Sequence, residues 1–231
     1  SEPPKKEAVK DSLIVVTHGA IHPWETAKES TRWVEEMTNS IVQYLSDNNM
    51  TNWQVVGYKW IQGAQSTYIE IFNGVVLKRA ESEGGSLGKS LASKRWAYIH
   101  LIAHSAGSAL IQEVTETIKN PANGSSDTIV HTTFLDPYVG VSYGGRGKYG
   151  HNADWSDSYF TIDNDTINGG LITLTSGPMD HAYNVDTTWL DIRKTPVKGF
   201  VSSLGGTIVQ CYRTDSSHGW PIEFYMNTIP P

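Results

Sequence analysis

Residues 99–107, which hold the most informative motif of the chain, read Ile99-His100-Leu101-Ile102-Ala103-His104-Ser105-Ala106-Gly107. An apolar run of this kind is typical of a buried parallel strand, and a helical pattern follows it. The motif is G-x-S-x-G with alanine in the first glycine position, which holds a serine on a sharp turn between a strand and a helix. The N-terminus of that helix directs its free N–H groups and partial positive charge at Ser105.

Short apolar runs alternate with helical patterns through the first half of the chain. Strands are predicted at 13–16, 53–60, 98–103 and 128–135, and helices at 25–45, from Gly63 to a break at 83–86, and at 108–119. This β-α-β-α-β-α-β order predicts a mainly parallel central sheet with helices on both faces. We therefore expect one α/β domain over 1–231, in which 1–11 form a flexible polar lead-in.

The second half of the chain is less regular. The pattern predicts a hairpin between 159–162 and 171–174, and a last strand at 207–212 that precedes His218. Two segments, 137–152 and 177–205, are candidates for a lid over a substrate pocket, since the first is rich in glycine and tyrosine and the second has no clear period.

Composition and cysteine usage exclude several classes of function. The net charge is −6 and no block of basic residues stands out, so nucleic acid is not an expected partner. The single cysteine, Cys211, excludes an internal disulfide and a cysteine-based zinc site. Asp163-Asn164-Asp165 resembles a calcium loop but lacks its closing glutamate. Without a nucleotide fingerprint or a metal-ligand cluster, we expect neither a cofactor nor a metal.

The sequence contains no apolar stretch of membrane-spanning length and no hydrophobic core of a signal peptide. Its composition is polar and rich in Trp, Tyr, Asn, Thr and Gly, which favours export. We therefore expect a secreted or otherwise extracytoplasmic protein. The eight Trp and eleven Tyr fit either core packing or an aromatic-lined cleft.

Several polar residues follow predicted strand ends, and their types match the needs of a serine nucleophile. His18, Ser105 and Asp136 each come directly after a strand, so they should meet at one edge of the sheet. A serine needs a base to take its proton and a third group to orient that base. α/β-Hydrolases supply these in the chain order Ser, Asp or Glu, then His, which here gives Ser105, Asp136 and His218.

Other residues could fill two of these roles. His181 remains an alternative base, although no clear strand positions it. The alternative acids lie between Asp136 and the C-terminal histidine; they are Asp154, Asp157 and Asp186. His104, beside the serine, is expected to pack or to hydrogen-bond structurally, because it points away from its neighbour on the turn.

Acyl transfer also requires N–H donors for the tetrahedral oxyanion. One donor should be the backbone N–H of Ala106, directly after the nucleophile. The second is expected from the loop after the first strand, where Gly19 lets the backbone turn so that the N–H of Ala20 faces Ser105. Loss of one such donor typically lowers the rate by ~10²–10³-fold.

Several segments, taken in order, resemble the pancreatic-lipase-like family of α/β-hydrolases. These segments are Thr17-His18-Gly19-Ala20, His100 to Ser108, Phe134-Leu135-Asp136-Pro137, Ala153 to Tyr159, and Ser217-His218 with Glu223-Phe224-Tyr225. The resemblance implies an α/β-hydrolase fold and an ester hydrolase acting on acyl lipids. It implies Ser105, Asp136 and His218 as the triad, with Ala20 and Ala106 at the oxyanion hole. The disulfide-closed lid of that family has no cysteine pair here.

The expected function is therefore that of a serine carboxylester hydrolase, an esterase or lipase active in lipid degradation. Its partner would be a small-molecule or lipid ester, with transient contact to a lipid interface and no obligate protein partner. Two other functions fit the residues. One is a non-catalytic lipid- or ligand-binding protein on a hydrolase scaffold; the other is a serine thioesterase, amidase or acyltransferase, since the same acyl-enzyme serves all three.

Overall fold

The computed structural model describes residues 2–124, 127–140, 142–162, 177–188 and 218–230, together with the backbone of short strands at 196–197, 201–204, 207–210 and 213–214. The segment 163–165, the second half of the predicted hairpin at 171–174, and Cys211 lie outside the described residues.

Six parallel strands form the central sheet. They are β1 (Ser12–Thr17), β2 (Trp53–Tyr58), β3 (Tyr98–His104), β4 (Ile129–Leu135), β5 (Trp155–Phe160) and β6 (Tyr183–Asp186). Their order across the sheet is β2-β1-β3-β4-β5-β6, and every neighbouring pair is parallel. The predicted α/β class with a parallel sheet is therefore confirmed, and the first four strands lie within two residues of their predicted bounds.

Helices connect these strands and cover both faces of the sheet. They are α1 (Ala27–Asp47), α2 (Ile61–Ala64), α3 (Tyr68–Phe72), α4 (Val75–Ala92), α5 (Gly107–Lys119), α6 (Gly145–Lys148) and α7 (Trp220–Thr228), with a 3₁₀ turn at Pro121–Asn123. α1 begins with a capping box, in which Thr26 and Glu29 satisfy each other's backbone N–H groups. Its buried residues lie on one stripe and are Thr31, Val34, Met37, Ile41 and Leu45.

Alternate residues of β1 enter two separate hydrophobic clusters. In β1, Leu13 and Val15 pack on the side of α4 and α5, whereas Ile14 and Val16 pack on the side of α1 and α7. α7 contributes Ile222 to this second cluster. Burial on both faces explains why β1 reads as a continuous apolar run.

The helix expected from Gly63 to 83–86 was predicted wrongly at both ends. The chain forms α2, α3 and α4 instead, and α4 continues through Gly84 and Gly85 to Ala92. Tight packing against α5 explains the error, because a Cβ on Gly84 would lie 2.3 Å from Leu110 O. Gly84 therefore allows a neighbouring helix to approach closely, and it does not end α4.

Of two further expectations about the second half, the hairpin was wrong and the last strand was confirmed over Thr207–Gln210. Tyr159 and Phe160 belong to β5, whose two edges are occupied by β4 and β6, so they cannot pair in the predicted hairpin. The predicted strand at 207–212 contains β9 (Thr207–Gln210), which pairs antiparallel with β8 (Val201–Leu204) outside the central sheet. The short strands β7 (Pro196–Val197) and β10 (Arg213–Thr214) form another antiparallel pair.

The polar N-terminal segment and the loop after β4 both contact the rest of the domain. Lys6 Nζ donates to Arg95 O at 3.0 Å and lies 4.8 Å from the centre of the Trp96 ring. In the candidate lid 137–152, Tyr138 and Tyr149 are buried, and Tyr149 Oη donates to Tyr138 O at 2.6 Å. Within the described residues, the helices are all too short or too polar to cross a bilayer.

Candidate active site

Ser105 stands at the turn between β3 and α5, in a strained backbone conformation. Its φ is +54°, in the left-handed region that residues other than glycine rarely adopt. Its N–H donates to Leu135 O at 3.1 Å, and its own carbonyl accepts from Tyr138 N at 3.1 Å. These bonds tie the serine turn to the end of β4 on both sides, which supports the strained conformation.

Small residues surround the serine because three backbone segments meet there. A Cβ on Gly19 would lie 2.6 Å from Ser105 Cβ and 3.2 Å from Ser105 Oγ. A Cβ on Gly107 would lie 2.6 Å from His18 O. Ala103, in the first glycine position of the motif, is fully buried, and its Cβ would lie 3.4 Å from a Cβ added to Gly107. The loop after β1 is therefore pressed directly against the serine.

Asp136 lies beside Ser105 at the end of β4 and is fully buried. The pairing of His104 with Leu135 places the two residues at adjacent strand ends. Its N–H donates to Tyr159 O at 2.7 Å, and its φ is +44°. Asp136 Oδ1 accepts from Thr161 N at 3.1 Å and lies 3.4 Å from Thr161 Oγ1. One carboxylate oxygen is thus fixed by the end of β5, and the other is free to bind a base.

The other carboxylate oxygen binds His218, whose Nδ1 donates to Asp136 Oδ2 at 2.6 Å although 82 positions separate the two residues. The bond engages Nδ1 and leaves Nε2 available for a proton from a nucleophile. The imidazole is 43% exposed, so substrate and water can reach it. The structure shows no hydrogen bond between Ser105 Oγ and His218; in free hydrolases this contact is often long and tightens only with substrate.

His104 contacts His218 through a hydrogen bond and through its ring. Its Nε2 donates to His218 O at 2.8 Å, and the centres of the two rings are 4.3 Å apart. Burial holds the pKa of His104 well below its ordinary range, so the ring is neutral at neutral pH. This contact is the structural role that the sequence predicts for His104.

Two backbone N–H groups beside Ser105 have no acceptor among the described residues. They belong to Ala20, which follows Gly19, and to Ala106, which precedes the first turn of α5. The neighbouring N–H of Ile21 is by contrast bonded to Ala64 O at 2.9 Å, which fixes the end of the loop. Free N–H groups at a helix N-terminus favour an anion, so this corner of the site suits a developing negative charge.

His18 lies under the same loop and is 1% exposed. Its Nδ1 donates to Gly19 O at 2.9 Å, whereas its Nε2 is buried with no partner in the described part of the chain. Burial lowers the pKa of His18 to about 4. A proton on Nε2 would place an unpaired charge in the core, so the neutral ring is strongly favoured.

The alternative bases and acids lie elsewhere in the fold. His181 precedes β6 and Asp154 precedes β5, so both are at the amino edge of the sheet, opposite Ser105. Asp154 is bound by Lys119 Nζ and by Val130 N. Asp157 lies within β5, bonded to Thr133 and His131, and Asp186 ends β6, two strands away from Asp136.

Two residues that contact the site could not be identified from the sequence. Thr161 orients Asp136, and Trp60 donates from Nε1 to His18 O at 2.7 Å. Both act on atoms that only the folded backbone brings near. The sequence offers one indication of this role, which is that Thr161 is a polar residue directly after the end of β5.

No protein-family model matches this sequence, and no curated protein matches it. The fold and the geometry at the carboxyl edge of the sheet therefore carry the functional argument.

Proposed function

We propose that this protein is a serine hydrolase that cleaves carboxylic esters through an acyl-enzyme on Ser105. The observation that carries the proposal is the 2.6 Å hydrogen bond between His218 and Asp136, formed next to a serine on a strained strand-to-helix turn. The chain order Ser, Asp, His matches that of α/β-hydrolases. The similarity of the surrounding motifs to pancreatic-lipase-like enzymes favours an acyl ester as substrate.

In the proposed mechanism, His218 Nε2 takes the proton of Ser105 Oγ as that oxygen attacks the ester carbonyl. The buried Asp136 holds the imidazole in orientation and stabilises its protonated form. The N–H groups of Ala20 and Ala106 bind the oxyanion of the tetrahedral intermediate. The alcohol leaves with the proton from His218, and a water molecule, deprotonated by the same ring, then hydrolyses the acyl-enzyme.

The mechanism is tested by labelling and by turnover of a short-chain p-nitrophenyl ester. A fluorophosphonate should label wild-type protein once, and Ser105→Ala should abolish both labelling and turnover. Ser108→Ala is a matched control, because Ser108 is a buried serine on α5 whose Oγ has no partner among the described residues. Wild-type turnover by Ser105→Ala would contradict the mechanism, and an unlabelled, inactive wild-type protein would favour the non-catalytic binding function.

The substrate class is tested by a series of acyl chain lengths, each measured below and above the solubility limit. A sharp rise in rate above that limit would support a lipase, and plain saturation on short esters would support an esterase. Thioester and amide analogues with the same acyl group would reveal a thioesterase or amidase.

A further inference from the structure

Trp60 touches none of the groups proposed to react, yet it is bound to the loop that carries Ala20. It lies two residues beyond β2 and is 1% exposed. Its Nε1 donates to His18 O at 2.7 Å. Its ring also stacks on the His18 imidazole, with ring centres 5.8 Å apart and planes inclined by 17°. A single side chain therefore holds both the carbonyl and the ring of His18.

The next peptide group along the loop is fixed by His18 itself. His18 Nδ1 donates to Gly19 O at 2.9 Å. Because a trans peptide is planar, its N–H points away from its C=O, and a fixed Gly19 carbonyl also fixes the direction of the Ala20 N–H. Trp60 thus acts on this N–H through His18, both by the bond to the preceding carbonyl and by the stacked ring.

Close packing leaves little freedom for this arrangement to relax. A Cβ on Gly107 would lie 2.6 Å from His18 O, and a Cβ on Gly63 would lie 3.0 Å from the Trp60 ring. The His18 carbonyl is therefore confined between the indole and the start of α5. If the indole N–H were removed, this buried carbonyl would lose its partner, and the loop would be drawn toward another conformation.

We propose that Trp60 is a positioning residue, whose indole N–H fixes the Ala20 N–H in the orientation needed to bind the oxyanion. The kinetic part of this inference rests on the proposed esterase function, whereas the orientation of the Ala20 amide does not. Trp60 should affect the transition state, in which the oxyanion exists, more than the bound substrate.

The kinetic test compares Trp60→Phe with Trp96→Phe. Trp96 is a matched control, since it is 2% exposed, lies before β3 at the other edge of the sheet, and its Nε1 has no partner in the described part of the structure. For Trp60→Phe we expect kcat to fall about 10–10²-fold with little change in KM. This fall is smaller than that caused by losing an oxyanion donor, because the Ala20 N–H remains present but is less well oriented. A boronic acid that mimics the tetrahedral intermediate should lose affinity by a similar factor. Trp96→Phe should change neither.

A second measurement separates this inference from the proposed function. The backbone N–H resonance of Ala20 should shift in Trp60→Phe and remain in place in Trp96→Phe, whether or not the protein hydrolyses esters. An inactive wild-type protein would refute the esterase and leave this readout intact. An unmoved Ala20 resonance, or a loss confined to KM, would overturn the role of Trp60. If Trp60→Phe does not fold, the benzothiophene analogue of tryptophan at position 60 removes the N–H alone.

Discussion

Replacement of Gly19 by alanine would insert a methyl group into the tightest contact of the candidate site. The added Cβ would lie 2.6 Å from Ser105 Cβ, 3.0 Å from His104 O and 3.2 Å from Ser105 Oγ. Two of these neighbours belong to a turn held by hydrogen bonds on both sides, so the loop after β1 must move. Relief of the contact requires a displacement of about 1 Å, which is enough to misalign an oxyanion donor.

We expect Gly19→Ala to lower kcat/KM by about 10²–10³-fold, the effect of losing one oxyanion donor. Overpacking should also lower the free energy of unfolding by about 1–3 kcal/mol. In a chain of this length each kcal/mol corresponds to about 2–4 °C in Tm. Both quantities can be measured on one preparation, with p-nitrophenyl acetate hydrolysis and thermal unfolding at pH 7.

Gly147→Ala is the control, because the nearest atom to its added Cβ would be Asp180 Oδ2 at 3.5 Å, an ordinary contact distance. This variant should keep the wild-type rate. Gly19→Ala with a lowered Tm but an unchanged kcat/KM would refute the reasoning, because the loop would then be near Ser105 without taking part in the reaction.

Further predictions concern the acid, the helix contact and the pH dependence of stability. Asp136→Asn should lower kcat by about 10⁴-fold, as loss of the orienting carboxylate does in serine proteases, whereas Asp186→Asn should leave steady-state rates unchanged. Gly84→Ala should destabilise the fold by about 1–3 kcal/mol in urea titrations because of the clash with α5. Its neighbour Gly85→Ala meets only ordinary contacts and should stabilise α4 by about 0.5–1 kcal/mol. Burial lowers the pKa of His18 from 6.5 in the unfolded chain to about 4 in the folded protein. The free energy of unfolding should therefore fall by about 3 kcal/mol as the pH falls from 6.5 to 4. His18→Gln should flatten this part of the pH profile of the urea midpoint; an unchanged profile would show that His18 is not buried.

The parallel sheet could be predicted because β1 is buried on both faces and reads as an apolar run, and because most residues of β3 and β4 are buried as well. β6 could not, since its Tyr183 is 67% exposed and the strand shows no regular alternation. α4 was missed for a different reason. Gly84 is a local helix breaker, and only the close approach of α5, distant in sequence, makes glycine favourable there.

Some residues of the candidate site could likewise be predicted from the sequence, and others could not. Ser105 and Asp136 follow strand ends and could be located by that position alone. His218 is predicted from the order of residue types and from the family resemblance, not from its strand, because the strand expected before it lies outside the central sheet. Trp60 and Thr161 act on backbone atoms, and no pattern of residue types records which carbonyl or N–H a side chain will meet.

The position of His218 depends on the packing of α7 against the sheet. The histidine precedes α7 by two residues, and Ile222 of α7 packs with Ile14 and Val16 on the face opposite α4 and α5. Docking of α7 thus brings His218, the proposed base, to the proposed nucleophile and acid, which follow the ends of β3 and β4. We expect this helix to detach locally under mild denaturant while the sheet stays folded. Ester turnover would then vanish before the bulk of the secondary structure, making activity the most sensitive reporter of the molecule's first unfolding step.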